Sequence, residues 1–129
     1  MFDHVGLQVT DLARSAEFYT AALAPLGLVL GHRDEACAGF GPSGSPSLWL
    51  HACTAPVEGT VHVALQADDA AAVRAFHDAA LRAGGRDHGA PGLRVEYAAG
   101  YFAAFVRDPD GNNIEAVAFI DASTATRCD

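Results

Sequence analysis

The stretch HVGLQVTDLARSAEFYTAAL, residues 4–23, returns 58 positions later as HVALQADDAAAVRAFHDAAL, residues 62–81, with ten of twenty positions identical. Each copy opens with a histidine, after which apolar residues alternate with small or polar ones, the period of a half-buried strand. Each copy then has a short polar side chain that can cap a helix, followed by apolar residues at helical spacing. The sequence therefore predicts one strand–helix unit that occurs twice.

Both copies continue in a similar way. In the first, a helix from Leu12 to Leu23 ends at the PLG of residues 25–27, and the sequence predicts a strand LVLG, a turn region GFGPSG and a strand LWLHA. In the second, a helix capped by Asp68 or Asp69 ends at residues 83–85. We expect a loop over RDHGAPG, strands over LRVEYA and YFAAFVR, a turn at DPDG and a last strand NIEAVAFI. The second unit reads β-α-β-β-β, and the repeat assigns the same order to the first, for which two strands after the helix are identified directly.

Length and composition indicate one domain. The chain has 129 residues, half of them apolar, and each copy alone would be marginal as an independent fold. We expect a single domain, residues 1–129, with module one at about 2–54, a linker at 55–59, module two at about 60–120 and a frayed tail at 121–129. The two modules should therefore share a core or a sheet.

Charge and cysteine content exclude several functional classes. The net charge is −8 and the eight basic residues, all arginine, are scattered, which predicts neither a nucleic-acid partner nor an anionic membrane surface. No apolar run is long enough to span a bilayer, and the start shows no charged leader. Three cysteines without a CxxC pair fit reduced thiols, so we expect a cytoplasmic protein.

The polar face of the opening strands indicates a ligand site. His4 and Gln8 share that face in the first copy, and His62 and Gln66 share it in the second. Glu115 in the last strand lies on the same kind of face as His62. Two imidazoles and one carboxylate on a concave surface are the ligands of a divalent metal site with open positions. The alternative is a pair of half-buried structural histidines, but their repetition at equivalent positions favours the metal.

Other side chains have weaker claims. Tyr101 is expected near the site, where it donates a proton or hydrogen bond, or else only packs. Trp49 stacks on a substrate or belongs to a core or interface. Arg94 and Arg107 could bind an anionic substrate, although most surface arginines do not.

FDHVGLQVTDLARSAEFYTAALAPLGL, residues 2–28, and FVRDPDGNNIEAV, residues 105–117, resemble the glyoxalase/bleomycin resistance/dioxygenase proteins, the vicinal oxygen chelate superfamily. The similarity covers about residues 2–120. It implies an α+β fold in which two tandem βαβββ modules form a cupped mixed β-sheet, with helices on the outer face and a metal in the cup. His4, His62 and Glu115 match three of the family's ligand positions.

The family's fourth ligand position differs here. Opposite Glu115 stands Leu48 without a gap, or Trp49 with a one-residue gap, and neither binds a metal; His51 is two or three residues out of place. Glyoxalase I enzymes generally use four protein ligands, whereas extradiol dioxygenases and fosfomycin-modifying enzymes use three.

Three functional alternatives stay open. The first is a glyoxalase-like lyase, isomerase or dioxygenase, with Glu115 and Tyr101 as catalytic residues, a Mn, Fe, Ni, Co or Zn ion, and Trp49, Tyr101, Gln8 and Gln66 against the substrate. The second is a drug-binding protein of the bleomycin resistance type, and the third is a vestigial metal site. In each case the partner is a small molecule, and the resemblance implies a homodimer with exchanged modules.

Overall fold

The computed structural model describes residues 1–55 and 59–121, and in them the duplicated unit is confirmed. The first module contains strand β1, helix α1 and strands β2 to β4; the second contains β5, α2 and β6 to β8. Their bounds are β1 Val5–Val9, α1 Leu12–Leu23, β2 Val29–Arg33, β3 Cys37–Gly41, β4 Leu48–Ala52, β5 His62–Gln66, α2 Ala70–Arg82, β6 Arg86–Leu93, β7 Tyr101–Arg107 and β8 Asn113–Phe119.

Each module forms one four-stranded mixed sheet. The strand order is β1-β4-β3-β2 in the first and β5-β8-β7-β6 in the second. The opening strand of each module pairs in parallel with the last strand, and the other neighbours are antiparallel. This order places β1 and β5 at sheet edges, next to the strands that end each module. The predicted tandem βαβββ architecture is therefore confirmed.

Both helices begin where the sequence places an acidic cap. The Asp11 carboxylate accepts a hydrogen bond from the Arg14 backbone N–H at 3.1 Å, and Asp69 accepts one from the Ala72 N–H at 2.8 Å. These bonds satisfy N–H groups that the first turn of a helix leaves without a partner. Asp69, rather than Asp68, is thus the cap of α2.

One continuous core joins the two modules. Helices α1 and α2 pack against each other, and α2 also packs against β7. The largest apolar side chains of this core are fully or almost fully buried: Phe18, Tyr19, Phe40, Phe76 and Phe102. Phe18 of α1 reaches the second module, since a Cβ built on Gly85 would lie only 2.6 Å from its Cε1 atom. The shared core explains why neither copy needs to fold alone.

A buried polar contact joins the modules as well. The Tyr19 hydroxyl of α1 donates a hydrogen bond to Asp108 Oδ2 at 2.5 Å, across 89 positions of sequence. The same carboxylate accepts bonds from the backbone N–H groups of Asp110 and Asn112 and from the Asn112 side-chain amide. Asp108 therefore organises the DPDG turn and fixes it to the first helix.

Three sequence-based assignments were wrong. Residues 86–92, expected as a loop, form most of strand β6, and only the first residue of the expected strand 93–98 belongs to a strand. Residues 39–41 of the expected turn region lie in β3. Strand β6 tolerates Pro91 and two glycines because it is an edge strand with irregular pairing to β7. At such a position the backbone N–H that proline lacks is not needed for a hydrogen bond between strands.

Neither helix in the described part of the chain combines the length and the apolar character that crossing a bilayer requires.

Candidate functional site

Parallel pairing of β5 with β8 brings His62 and Glu115 together. Ala64 lies opposite Glu115 in the register, and His62 lies two residues before Ala64 on the same face. The small side chain of Ala64 leaves room for the imidazole to lean over it. His62 Nε2 lies 3.0 Å from Glu115 Oε1.

The second ring nitrogen of His62 faces the main chain. Its Nδ1 lies 3.0 Å from the carbonyl oxygen of Asn113, and a carbonyl can only accept a hydrogen bond. The Nδ1 atom therefore carries the proton. In the neutral ring, the lone pair of Nε2 then points at Glu115 Oε1, and the two electron-rich atoms repel each other. A proton or a cation between them would remove this repulsion. A histidine oriented by a backbone carbonyl is also the usual arrangement of a metal ligand.

Glu115 is a buried carboxylate, with 2% of its surface exposed. Its Oε2 atom accepts a hydrogen bond from the Tyr101 hydroxyl of β7. Burial, and then the hydrogen bond to Glu115 and the charge of that carboxylate, raise the pKa of Tyr101 to about 12. The phenol therefore keeps its proton at neutral pH and acts as a hydrogen-bond donor. A nitrogen and a carboxylate with open space beside them fit a divalent ion.

These side chains line a cavity of about 430 Å³ on the face of the second sheet opposite the helices. Its walls are His62, Tyr97, Tyr101, Phe105, Asn113 and Glu115. The Phe105 ring stacks on the His62 imidazole with their centroids 6.2 Å apart. Aromatic walls around a few convergent polar atoms are typical of a small-molecule site.

His4 lies apart from this cavity. It precedes β1, its Nδ1 atom is 2.7 Å from Asp3 Oδ1, and 61% of its side chain is exposed. It lines a separate cavity of about 190 Å³ with residues of β5, among them Val63 and Leu65. Within the described residues of one chain, the structure thus brings together two of the three expected ligands.

The first module carries Trp49 at the position that Glu115 has in the second. Trp49 pairs with Gly6 just as Glu115 pairs with Ala64, so the alignment with a one-residue gap is the correct one. Leu48 instead points into the core. The partly exposed Trp49 ring packs over Gly39 and against His32, at 5.7 Å between the ring centroids of Trp49 and His32.

The two glutamines lie on the sheet faces opposite the helices and are exposed. Gln8 pairs with His51 and lines a cavity of about 210 Å³ with Gly6 and residues 59–61. Gln66 pairs with Val117. Neither glutamine lines the cavity of His62 and Glu115.

A second group of potential metal ligands, which the sequence analysis missed, lies at the tip of the β2–β3 hairpin. Donor atoms of His32, Asp34 and Cys37 lie within 4.8 Å of one another. The hydrogen bond from His32, and then two backbone N–H donors, hold the pKa of Asp34 well below its usual range. Desolvation and the nearby Asp34 charge raise the pKa of the Cys37 thiol, which keeps it protonated and weakens it as a ligand. In the sequence, the spacing H-x-D-x₂-C is the pattern that could have predicted this group.

Comparison with known proteins agrees with this fold. The family model of the Glyoxalase/Bleomycin resistance protein/Dioxygenase superfamily matches residues 1–116. A crystal structure of a glyoxalase/bleomycin resistance protein from Albidiferax ferrireducens is similar at 30% identity and a TM-score of 0.76, over 91% of this chain and 97% of that one.

Two further structures show the same fold. A glyoxalase/bleomycin resistance protein/dioxygenase family enzyme from Burkholderia phytofirmans is 17% identical, with a TM-score of 0.72 over 92% of this chain and 98% of that one. A mutant of glyoxalase I from Zea mays is 26% identical, with a TM-score of 0.69 over 88% of this chain and 45% of that one. No curated protein matches the chain.

Proposed function

The chain belongs to the glyoxalase/bleomycin resistance protein/dioxygenase superfamily, and within it we propose that this protein is a divalent-metal-dependent enzyme that acts on a small molecule. The observation that carries the proposal is the His62–Glu115 pair, in which a carbonyl-oriented imidazole faces a buried carboxylate across 3.0 Å. A buried carboxylate beside an imidazole in an aromatic cavity has no evident structural task, because the core packs on the opposite face of the sheet.

His62 Nε2 and Glu115 Oε1 are the proposed ligands in the second module, with His4 as the third. Mixed nitrogen and oxygen ligands suit Mn, Fe, Co, Ni or Zn. When bound, such an ion would be coordinated by substrate oxygens, and its positive charge would stabilise a developing oxyanion. Three protein ligands leave positions open for those oxygens.

Glu115 and Tyr101 are the proposed catalytic residues. Glu115 takes a proton from the substrate, since its carboxylate is a base that lines the cavity. Tyr101 positions that carboxylate through its hydrogen bond to Oε2 and, with a pKa of about 12, keeps its proton. Once Glu115 has taken the substrate proton, the same hydroxyl can turn to donate its hydrogen bond to a substrate oxygen. This combination suits lyase, isomerase or dioxygenase chemistry.

The third ligand supports a homodimer. His4 is exposed on its own chain, and the faces that carry it and the His62 cavity are both open. Apolar side chains are also exposed around these faces, with 82% of Phe2, 62% of Tyr97 and 68% of Phe119 accessible. We propose a C2 dimer in which the first module of one protomer covers the second module of its partner, so that each site takes His4 from one chain.

A second candidate function is the binding of a drug or other ligand without catalysis. The aromatic walls formed by Tyr97, Tyr101 and Phe105 favour it, because they suit a planar ligand. The two candidates differ in their need for metal.

Metal analysis of protein purified without chelator tests the enzyme. We expect about one divalent ion per chain, and His62→Ala should weaken binding by several kcal/mol because few ligands share the binding free energy. His51→Ala is the matched control, since His51 is also an exposed strand histidine but is not one of the three proposed ligands. Protein that binds none of the five metals after incubation, or equal losses from both variants, would contradict the proposed site.

Mixing variants tests the dimer. His4→Ala and Glu115→Ala chains are combined and allowed to exchange subunits. In an exchanged-module dimer both lesions fall in one site and the other stays intact, so the mixed species should hold about half of the wild-type metal. A monomer on sizing, or mixed dimers without metal, would show that each site forms within one chain.

A further inference from the structure

A fixed guanidinium group lies beside the cavity of His62 and Glu115. Arg94 Nη2 donates a hydrogen bond to the carbonyl oxygen of Ala90 at 2.6 Å, and its Cζ lies 5.5 Å from the centroid of the Phe105 ring. The group also lies across Gly89 and Gly92, where added Cβ atoms would come within 3.3 and 3.0 Å of its nitrogens. Contacts on several sides hold the side chain in one place, so its charge is preorganised.

No carboxylate in the described part of the chain pairs with Arg94. The guanidinium borders a cavity of about 230 Å³ that is lined by His88, Gly89, Arg94, Tyr97, Phe105 and Asn113, without any acidic side chain. The chain as a whole has 16 acidic residues against eight basic ones. A cationic cavity in an acidic protein therefore attracts anions locally, against the net charge of the surface.

His88 adds a neutral donor to the same cavity. Its Nε2 atom lies 3.2 Å from Arg107 Nη2, and a guanidinium can only donate, so Nε2 accepts and the proton resides on Nδ1. The second arm of Arg107 donates to the carbonyl oxygen of Gly111 at 2.8 Å, which holds it in position. Arg107 thus orients His88 as a hydrogen-bond donor beside Arg94.

Asn113 connects this cavity with the proposed metal site. It lines both cavities, together with Tyr97 and Phe105. Its Oδ1 atom is buried and has no hydrogen-bond partner within the part of the chain that the structure describes. A buried unpaired polar atom is costly, and a ligand that spans the two cavities would satisfy it, either with a hydroxyl or, if the amide is turned, by accepting from Nδ2.

From this geometry we propose that Arg94 and His88 form an oxyanion subsite and that the substrate is a small anion. The inference rests on the proposed function, because the other end of the substrate carries the oxygens that meet the metal held by His62 and Glu115. Carboxylates and phosphonates share the chemistry that a guanidinium fork recognises. Cationic ligands are disfavoured at the same place, which separates this site from one built for a basic drug.

The test measures calorimetric binding of three probes to the dimer, with and without Mn²⁺: phenylacetate, phenylphosphonate and the uncharged 2-phenylacetamide. We expect at least one anion to bind about tenfold or more tightly than the amide, since a charge-assisted hydrogen bond contributes more than a neutral one. The carboxylate and phosphonate arms show which anion the subsite fits.

Arg94→Gln should abolish that preference, while Arg94→Lys should keep part of it because the charge stays and the fork is lost. Arg33→Gln is the control, as Arg33 belongs to strand β2 of the first module. Thermal unfolding of each variant checks that it folds. Equal binding of all three probes to the wild type, or an unchanged preference in Arg94→Gln, would overturn the subsite.

Metal content of the wild-type and Arg94→Gln preparations separates the two proposals. If the wild type holds metal but shows no preference for anions, the proposed metal site is supported and the proposed anion subsite is wrong. An anion preference that depends on Arg94 in protein that binds no metal supports the subsite and removes the metal enzyme.

Discussion

Replacing Tyr19 with phenylalanine should weaken the attachment between the two modules. The ring is fully buried among core side chains, and phenylalanine keeps its packing, so no cavity forms. The change removes only the hydroxyl that donates to Asp108 Oδ2 at 2.5 Å. A hydrogen bond to a carboxylate contributes about 1.5–3 kcal/mol.

The expected loss lies within that range. Asp108 keeps three other donors, from Asp110 and from the backbone and side chain of Asn112, at 2.8–2.9 Å, so its carboxylate is not left unpaired. We therefore expect Tyr19→Phe to lower the free energy of unfolding by about 2 kcal/mol. For a chain of this length, that corresponds to a fall in Tm of about 6–10 °C.

Chemical and thermal unfolding at one fixed protein concentration measure the loss, since the apparent stability of the proposed dimer would depend on concentration. Tyr97→Phe is the control: Tyr97 is 62% exposed, and its replacement should cost less than about 0.5 kcal/mol. If Tyr19→Phe costs no more than this control, the docking of α1 on the DPDG turn does not stabilise the fold.

Three other outcomes follow from the structure. Burial, and then the Asp108 charge, raise the pKa of Tyr19, and burial and the hydrogen bond to Glu115 raise the pKa of Tyr101. In the folded state both hydroxyls therefore keep protons that the unfolded chain releases above about pH 10. Stability should therefore fall as pH rises beyond that value, and Tyr19→Phe should flatten the dependence; parallel slopes would refute this. Co²⁺-loaded protein should lack thiolate charge-transfer absorption, whereas an intense near-ultraviolet band that disappears in Cys37→Ser would place the ion at the hairpin instead. Gly85→Ala should cost about 1–3 kcal/mol, because the new methyl group meets Phe18; unchanged unfolding would show that this contact gives way freely.

Periodicity predicted the elements whose polar and apolar faces differ clearly. Helix α1 runs over the predicted residues, Leu12–Leu23, because its buried side and its acidic cap are both local signals. Strand β6 was missed because Pro91 and its glycines are ordinary loop signals. Its pairing with β7, which stabilises it as an edge strand, is a long-range contact that local sequence does not encode.

The site was predictable to the extent that strand faces determine it. The alternation of β5 and β8 placed His62 and Glu115 on one side, and their parallel pairing brings them into contact. The position of His4 relative to them depends on how modules assemble, which strand period does not specify. The arrangement around Arg94 depends on irregular pairing of β6 and was likewise beyond local patterns.

The equivalence of Trp49 and Glu115 has a consequence for how such a chain diversifies. The two copies of the repeated module keep the same backbone register, yet at the equivalent strand position one has the Trp49 indole and the other the Glu115 carboxylate. The helices, caps and core maintain the scaffold in both halves. The fold therefore does not depend on which residue occupies this strand position, and the residue can change in one copy alone. The two halves can therefore differ at this one position: the second carries Glu115, which we propose as a catalytic residue, and the first carries Trp49, which can change without altering that carboxylate.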